Sequence, residues 1–376
     1  MAQFDVALHL IGEQNIPNYI AIKHLDAEKH ILLATSRTQR TAGRLARVLQ
    51  DTASTEIQLI EAYDVKRLKA DFAGLVQSLQ GKQVVANLTG GTKPMAILLS
   101  QALDELEDVK LYYIEMGDQK ELISLSAETV QPLKPCILDI QTFVSLQRDN
   151  PLSEERPIPS TIEYRLSKNL WAERTREGFQ WKVSEFARLA SKRGGQRLED
   201  VKKEYEHFKA ILAGSQAEQD LATFYAEMKG NLHRLCEFLG GKWLEVYAYT
   251  QVFASKKLMK QARDLRMNVR LLSEDSKTKD HQELDLAYTD AYYLYILECK
   301  SGDVTQEDVQ KLENNVRNYG GTYGRGVLIT AKKQEGMVLE RIRNSRNIML
   351  VEGAQVSYLS EALLNWKAGR YLSDIF

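Results

Sequence analysis

Cysteine is scarce in this chain of 376 residues, which has only Cys136, Cys236 and Cys299. The three lie far apart and form no CxxC pair, so their spacing excludes a disulfide framework and gives no indication of a structural zinc site. A few scattered thiols are typical of proteins from a reducing compartment. We therefore expect a cytoplasmic protein.

Long apolar runs and an excess of one charge are lacking as well. No window approaches the roughly 20 apolar residues of a membrane-spanning helix. The amino terminus has no basic segment before its short apolar run, so no signal peptide is predicted. The formal net charge is −1, which by itself gives no evidence for a nucleic-acid partner. With 44% hydrophobic and 27% charged residues, the composition is that of a globular protein.

Several catalytic and phosphate-binding motifs are also missing. The six histidines have no HxH or HExxH spacing, and no Ser-His-Asp order stands out. Neither GxxxxGK[ST] nor GxGxxG occurs anywhere in the chain. These absences argue against a histidine-based metal site, a nucleophilic mechanism and a Walker-type nucleotide loop.

The first 145 residues alternate between short apolar segments and helical periodicity. Five segments are predicted to be buried strands: FDVALHLI (4–11), HILLAT (30–35), IQLI (57–60), VVANL (84–88) and LYYIE (111–115). Between the last two, an apolar stripe predicts a helix over 94–108. Strands that alternate with helices indicate βαβ units and a mostly parallel sheet, which binds ligands at the carboxyl ends of its strands.

Proline is infrequent, but three of the seven prolines lie at positions 151, 157 and 159. They predict an interdomain linker over 147–160. The chain is helical from 161 to 240, and beyond it strands and helices are mixed. Strands are predicted at 265–272, 283–288, 292–299, 326–331 and 347–351. We therefore expect an α/β protein with a first domain over 1–146, a helical connector over 161–240 and a second domain over 241–376.

Two acidic residues stand in predicted strands of the last domain. Asp285 lies in ELDLAY and Glu298 ends the apolar run LYILE, where a charge is costly to bury. If Tyr288 pairs with Tyr293 across a turn at 289–291, Asp285 pairs with Ile296 and lies diagonal to Glu298. Diagonal neighbours on one face are roughly 7–8 Å apart, close enough to hold one cation between them.

Lys300 shares the face of Glu298 because side chains two apart in a strand project together, while Cys299 points the other way. Two carboxylates at a strand end suit Mg²⁺ or Mn²⁺, and a lysine beside them can position water or stabilise developing negative charge. The alternative is a structural ion pair between Asp285 and Lys300 at a sheet edge, since a D…ExK match also occurs by chance.

The segment ELDLAY…LYILECKSGD resembles the core of the PD-(D/E)xK nucleases, with Asp285, Glu298 and Lys300 in the motif positions. Leu284 replaces the proline of the family name. The resemblance implies a restriction-endonuclease-like α/β domain with a mixed sheet, in which the backbone carbonyl of Cys299 completes the metal shell. GGKWLEVYAY (240–249) resembles the preceding helix of the family, whose acidic residue would be Glu245; the alternative is an exposed helical glutamate.

A glycine turn follows the predicted strand VVANL. Its residues Thr89, Gly90, Gly91, Thr92 and Lys93 precede Pro94, which suits the first turn of a helix. Backbone amides and the helix amino end then face one point, which favours an anionic ligand. A purely structural turn is the alternative.

Two further strand-end loops are predicted to converge on the same edge. The first contributes Gly12, Glu13, Gln14, Asn15, Pro17 and Asn18, and the second contributes Ser36, Arg37 and Thr38 before Gln39. Together with NLTGGTKPM (87–95), they resemble the Rossmann-like CARF sensor domain of CRISPR-associated effectors over about residues 1–146. The resemblance implies a homodimer that binds one cyclic oligoadenylate, usually cyclic tetra-adenylate, across its axis.

A CARF domain joined to a PD-(D/E)xK domain resembles the ancillary nucleases of type III CRISPR antiviral defence. The resemblance implies a metal-dependent endonuclease that is allosterically activated by cyclic oligoadenylate. It implies that the enzyme nicks DNA or cleaves single-stranded DNA, with RNA as a further substrate class. Two alternatives remain. The protein could be a CARF-regulated DNA-binding or transcription protein that uses 161–240 as a winged-helix module, or a nuclease whose first domain only dimerises. The basic segment 255–270 fits either a phosphate contact or a solvated helix face.

Overall fold

The computed structural model of the protein describes residues 3–117, 120–136, 138–149, 159–192, 197–228, 231–271 and 282–367. The chain forms two compact units. Unit 1 comprises Met1–Pro151 with Asn318–Tyr323, and unit 2 comprises Leu152–Arg317 with Gly324–Phe376. Most of the predicted linker 147–160 lies outside the described residues. Across the described ranges, every helix is too short or too polar to cross a membrane.

Unit 1 contains a seven-stranded sheet in the order β3-β2-β1-β4-β5-β6-β7. The strands are β1 (Phe4–Leu10), β2 (Ala27–Ala34), β3 (Thr55–Leu59), β4 (Val84–Asn87), β5 (Val109–Glu115), β6 (Glu121–Ser124) and β7 (Thr129–Pro132). The first five pair in parallel and the last two are antiparallel. The mostly parallel sheet is confirmed, while β6 and β7 had not been predicted.

Helices connect the parallel strands of unit 1, and a further helix follows the antiparallel strand β7. They are α1 (Ile16–His24), α2 (Gln39–Leu49), α3 (Val65–Ser78), α4 (Lys93–Leu103) and α5 (Ile140–Gln147). Apart from His9 in β1 and Asn87 at the end of β4, the buried residues of these two strands are apolar, as expected for strands covered on both faces. Leu68 and Phe72 of α3 and Leu99 of α4 complete one core cluster. The loops from β2 to α2 and from β4 to α4 are short, so both helices begin close to the carboxyl ends of these strands.

Unit 2 begins with a helical region and continues into a mixed sheet. The helices are α6 (Thr161–Glu173), α7 (Phe179–Ala190), α8 (Leu198–Ile211), α9 (Gln216–Glu227), α10 (Leu232–Glu237), α11 (Trp243–Ala254), α12 (Lys256–Gln261), α13 (Gln306–Asn315), α14 (Gly336–Asn344) and α15 (Leu359–Lys367). The strands are β8 (Asp264–Leu271), β9 (Gln282–Thr289), β10 (Leu294–Lys300), β11 (Gly324–Thr330) and β12 (Ile348–Glu352). They lie in the order β12-β11-β10-β9-β8.

The central strand β10 explains the position of the predicted acidic site. It pairs in parallel with β11 and antiparallel with β9, and Leu294 to Cys299 are buried while Lys300 is half-buried. A strand covered on both faces is apolar throughout, so Glu298 is the exception in its interior. The mixed sheet predicted for this region is confirmed.

A buried histidine pair lies in the sheet of unit 1. Nε2 of His9 in β1 is 3.0 Å from Nδ1 of His30 in β2, and both side chains are buried. Burial lowers the pKa of His30 to about 4, and burial together with His30 lowers the pKa of His9 well below 6.5. The unfolded chain therefore binds protons at a higher pH than the folded chain does.

We expect the stability of unit 1 to fall as the pH drops from about 6.5 to about 4, by about 3 kcal/mol from His30 alone. Urea unfolding at several pH values, read by pulsed hydrogen exchange of peptides from β1 and β2, measures this slope. The double substitution His9→Leu/His30→Leu should flatten the slope, whereas His233→Leu, at a surface position, should not. An unchanged slope in the double variant would contradict the prediction.

Candidate functional site

The carboxylates of Asp285 and Glu298 meet on adjacent strands, but in a different register from the predicted one. Tyr288 pairs with Tyr295, and Leu286 pairs with Leu297. The predicted pairing of Tyr288 with Tyr293 is therefore wrong by two residues, because Asp290, with Tyr292 and Tyr293, forms the turn. The pairing ends at Leu286 and Leu297. Asp285 and Glu298 follow one residue further along their strands, where the amide of Cys299 donates to Oδ2 of Asp285.

Glu298 is only 1% exposed and uses one carboxylate oxygen to hold two lysines. Oε1 lies 3.3 Å from Nζ of Lys300 and accepts a hydrogen bond of 2.9 Å from Nζ of Lys311 in α13. Oε2 is buried, and no group of the described residues donates a hydrogen bond to it. A buried carboxylate oxygen without a partner is costly, so this atom fits a cation that is not part of the chain.

Asp285 is the second carboxylate of the site. Its Oδ2 accepts a 2.7 Å hydrogen bond from the backbone amide of Cys299. Burial, followed by the charges of Glu245 and Glu298, raises the pKa of Asp285 well above its usual value. A cation bound beside Asp285 would remove this repulsion, so the charges around Asp285 favour one.

Glu245 of α11 joins the same electrostatic cluster. It is half-buried rather than exposed, and burial, opposed by Lys242 and reinforced by Glu283 and Glu298, raises its pKa to about 7. The hydroxyl of Ser301, just after β10, donates to the carbonyl of Gly240 at 3.0 Å. This bond ties the segment before α11 to the strand that carries Glu298.

Lys300 lies between two acids. Its Nζ is 3.0 Å from Oδ1 of Asp308 in α13, in addition to its contact with Glu298. Although partial burial opposes it, Glu298 and the hydrogen bond to Asp308 raise the pKa of Lys300. The amine is therefore a fixed positive charge, suited to orienting water or to stabilising negative charge on a phosphate.

The donor set of this site suits a hard divalent cation. Asp285 and Glu298 offer oxygen ligands, and Mg²⁺ typically uses one or two carboxylates together with waters and substrate phosphates. Within the described ranges, no group of three or more His, Cys, Asp or Glu side chains is close enough to form a metal site by itself. Asp285 and Glu298 would therefore supply only part of the coordination shell of a metal ion, and water and substrate oxygens would supply the rest.

A cavity of about 1120 Å³ lies at the carboxyl ends of the parallel strands in unit 1. The amino ends of α2 and α4 border it, with Thr38 and Thr92 at the N-cap positions. Unpaired backbone amides and the helix dipole make such ends favourable for anions. Lys93 and Arg37 are exposed at the cavity. Arg37 forms an ion pair with Glu13, another lining residue, so two cations and one carboxylate lie beside the helix ends.

The structure brings eight of the fourteen predicted ligand-binding residues to this cavity. They are Gly12, Glu13, Ser36, Arg37, Thr38, Gly91, Thr92 and Lys93. The other six, Gln14, Asn15, Pro17, Asn18, Thr89 and Gly90, are absent from its wall. The backbone of the Gly90–Gly91 turn is in close contact with the loop after β1, since a Cβ built on Gly12 lies 3.4 Å from the amide nitrogen of Gly91.

Two of the predicted ligand residues outside the cavity wall, Asn15 and Asn18, form hydrogen bonds with other parts of unit 1. Nδ2 of Asn15 donates to the carbonyls of Thr41 and Leu146, both at 2.9 Å. Asn18 donates to the carbonyl of Leu10 at 3.1 Å and accepts from Asn87 at 2.9 Å. These amides fix the loop after β1, and their donors already have partners in the protein.

Two groups of residues were missed by sequence reasoning. In unit 2 they are Lys311 and Asp308 of α13, which contact Glu298 and Lys300. In unit 1 they are the residues of the loop after β3 and the start of α3, which line the cavity: Leu59, Ile60, Glu61, Ala62, Tyr63, Arg67, Ala70 and Asp71. The loop after β3 could have been predicted, because it follows a parallel strand and ligands bind at the carboxyl ends of such strands.

Comparison with known protein families agrees with both halves of the prediction. Residues 6–141 match the family model of the Card1 CARF domain, and residues 233–370 match that of the Card1-like endonuclease domain. No curated protein matches the chain.

Solved structures share the fold over most of the chain. Can2 from Sulfobacillus thermosulfidooxidans in complex with cyclic tetra-adenylate has a TM-score of 0.73 and 16% identity, covering 96% of this chain and 97% of that one. Protein VC1899 from Vibrio cholerae has a TM-score of 0.76 and 17% identity, covering 96% and 98%.

A third solved structure is that of a type III CRISPR defence DNA nuclease activated by cyclic oligoadenylate. It has a TM-score of 0.56 and 19% identity, and covers 93% of this chain but 48% of its own. At these identities the likeness to all three structures concerns the fold. The family matches carry the assignment: the chain has a CARF domain of the Card1 type in its amino-terminal part and an endonuclease domain of the Card1-like family in its carboxyl-terminal part.

Proposed function

We propose that the protein is a metal-dependent endonuclease of type III CRISPR antiviral defence, activated by a cyclic oligoadenylate and acting in the cytoplasm. Residues 1–146 would sense the ligand, 161–240 would connect, and 241–376 would cleave DNA, with RNA as a further substrate. The observation that carries the proposal is the buried Oε2 of Glu298, which has no hydrogen-bond partner among the described residues and lies on the strand next to that of Asp285, in a domain of an endonuclease family.

Asp285 and Glu298 would hold Mg²⁺ or Mn²⁺, with the carbonyl of Cys299 as a further ligand and Glu245 nearby. The bound ion would acidify a water and offset charge on the phosphoryl oxygens. Lys300, held between Glu298 and Asp308, would orient the attacking water. Lys311 would keep the Glu298 carboxylate in place, since its amine already contacts Oε1.

The cavity of unit 1 is the proposed ligand site. Cyclic tetra-adenylate is the favoured activator because the chain shares its fold with Can2, whose structure holds that ligand. Two helix amino ends with Lys93 and Arg37 fit the phosphates of such a ring. A ring with twofold symmetry suits an isologous homodimer, whose nuclease pair the ligand would shift toward a competent arrangement.

The proposal predicts strict dependence on two additives. Supercoiled plasmid, single-stranded DNA and RNA are incubated with the wild-type protein and Mg²⁺ or Mn²⁺, with and without cyclic tri-, tetra- or hexa-adenylate. Cleavage is expected only when metal and one of the rings are both present, and light scattering should give the mass of a dimer. Cleavage in EDTA would contradict the metal site, and cleavage without a ring would favour a first domain that only dimerises.

The non-enzymatic alternative, a CARF-regulated transcription protein, makes the opposite prediction. It requires ring-dependent binding of DNA without any cut at any metal concentration. A binding protein has no need of an acid whose second oxygen is buried without a partner beside two lysines. This arrangement favours the nuclease.

A further inference from the structure

The unit 1 cavity has two chemically different walls. The wall formed by the starts of α2 and α4 carries backbone amides, hydroxyls and Lys93. The other wall follows β3 and is formed by Leu59, Ile60, Ala62 and Tyr63. Leu59 is 52% exposed and Tyr63 is 68% exposed. Large apolar side chains exposed together at a cavity indicate a ligand surface more often than scattered ones do.

The segment Leu59–Tyr63, here called the β3 loop, is held rigidly. Oδ2 of Asp71 accepts a 2.9 Å hydrogen bond from the amide of Glu61, and Oε1 of Glu61 accepts from the amide of Ala62 at 2.8 Å. The carbonyl of Ala62 accepts from the hydroxyl of Thr92 at 3.1 Å. The loop is therefore attached to α3 and to the glycine turn, while the ring of Tyr63 remains exposed. Such preorganisation lowers the entropic cost of binding.

Two carboxylates on this wall disfavour phosphate, and Arg67, which also lines the cavity, forms an ion pair with Asp64 at 3.6 Å. Glu61 and Asp71 both line it, and the amides of Ala62 and Tyr63 lower the pKa of Glu61, so its carboxylate is ionised at neutral pH. Phosphate oxygens are better placed at the wall with the helix ends and Lys93. A flat, uncharged group with amino donors suits the β3 loop.

We infer that the β3 loop is the base-binding wall of the ligand site, and that Tyr63 stacks on a nucleobase of the bound oligonucleotide ring. The inference rests on the proposed function. It assigns a binding surface to the bases of the ligand, whereas the helix ends and Lys93 bind its phosphates. Every base has a π face, and stacking on an aromatic side chain is worth about 1–3 kcal/mol per base. Because the loop packs on Thr92, a base on Tyr63 would lie beside phosphates held at the start of α4.

Calorimetric titration of the full-length protein with cyclic tetra-adenylate tests this assignment. Tyr63→Ala should weaken binding at least about 5-fold, the lower bound for losing one stacked base, and more if both protomers of a dimer stack on the ring. Tyr63→Phe, which keeps the ring, should stay within about twofold of the wild type. The matched control is Tyr113→Ala, since Tyr113 is 42% exposed on β5 and lies outside the cavity wall. Cleavage by Tyr113→Ala at saturating ligand should equal that of the wild type.

A spectroscopic readout separates stacking from a general effect on the loop. All four tryptophans of the chain lie at or beyond position 171, so Tyr63→Trp places one new fluorophore in unit 1. Ligand should quench this added fluorescence, measured as the difference from the wild type. Equal affinity of Tyr63→Ala and wild type, or no added quenching, would overturn the inference. A wild type that binds no cyclic oligoadenylate would overturn the proposed function as well.

Discussion

Glu298→Gln is expected to lower ring-activated cleavage at least about 1000-fold, which corresponds to about 4 kcal/mol of transition-state stabilisation. Glutamine keeps the size of the side chain and an oxygen for Lys311, but removes the negative charge. The buried position of Oε2 would then present an amide to the cation. Asp285→Asn should have a similar effect, and the double variant should be no worse, because two ligands of one ion act as a unit.

Glu313→Gln is the matched control for this experiment. Glu313 lies on α13, the helix that carries Lys311, and forms an ion pair with Arg341 at 2.6 Å away from the site. Plasmid nicking and Mn²⁺ binding are measured for each variant, together with the affinity for cyclic tetra-adenylate, which should not change. Glu298→Gln protein that retained more than about a tenth of wild-type cleavage would refute the proposed metal site.

The acidic site shows what strand periodicity can predict. The sequence-based register was wrong by two residues, yet Asp285 and Glu298 still share a face, because a shift by an even number keeps every side chain on its side of the sheet. The error came from the turn, where the carboxylate of Asp290 accepts from the amides of Tyr292 and Tyr293. Periodicity determines the face, while the distance along the ladder depends on such turn contacts.

Strand periodicity could not predict residues that reach the acidic site from a helix outside the two strands. Lys311 contacts Glu298 because α13 packs near the end of β10, and its rotation about its axis is decided by buried residues such as Val309 and Leu312. In the same way, Asn15 and Asn18 were predicted as ligand donors from their loop alone. Their actual partners, among them Leu146 and Asn87, lie far away in the sequence. Tertiary packing therefore determines which polar side chains stay available.

Gly90→Ala is expected to weaken binding of cyclic tetra-adenylate at least about 100-fold, about 2.7 kcal/mol, and to abolish activation at moderate ligand concentration. A Cβ on Gly90 would lie 1.9 Å from the carbonyl oxygen of Leu10 and 3.1 Å from the amide nitrogen of Gly12. These are backbone atoms that cannot rotate away, so the glycine turn must move off β1. Thr92 and Lys93 would then leave their places in the cavity wall.

Gly74→Ala is the control, because Gly74 lies inside α3 of the same unit and a Cβ there meets nothing within 4 Å. Alanine in a helix interior should stabilise the unit by about 0.5–1 kcal/mol and leave binding unchanged. Tryptophan fluorescence, which reports on unit 2 alone, verifies that Gly90→Ala leaves the nuclease unit folded, and Mn²⁺ binding at Glu298 should persist. If Gly90→Ala bound the ring within about threefold of the wild type, the glycine turn would have no part in ligand sensing, and the anion-binding role of α4 would have to be abandoned.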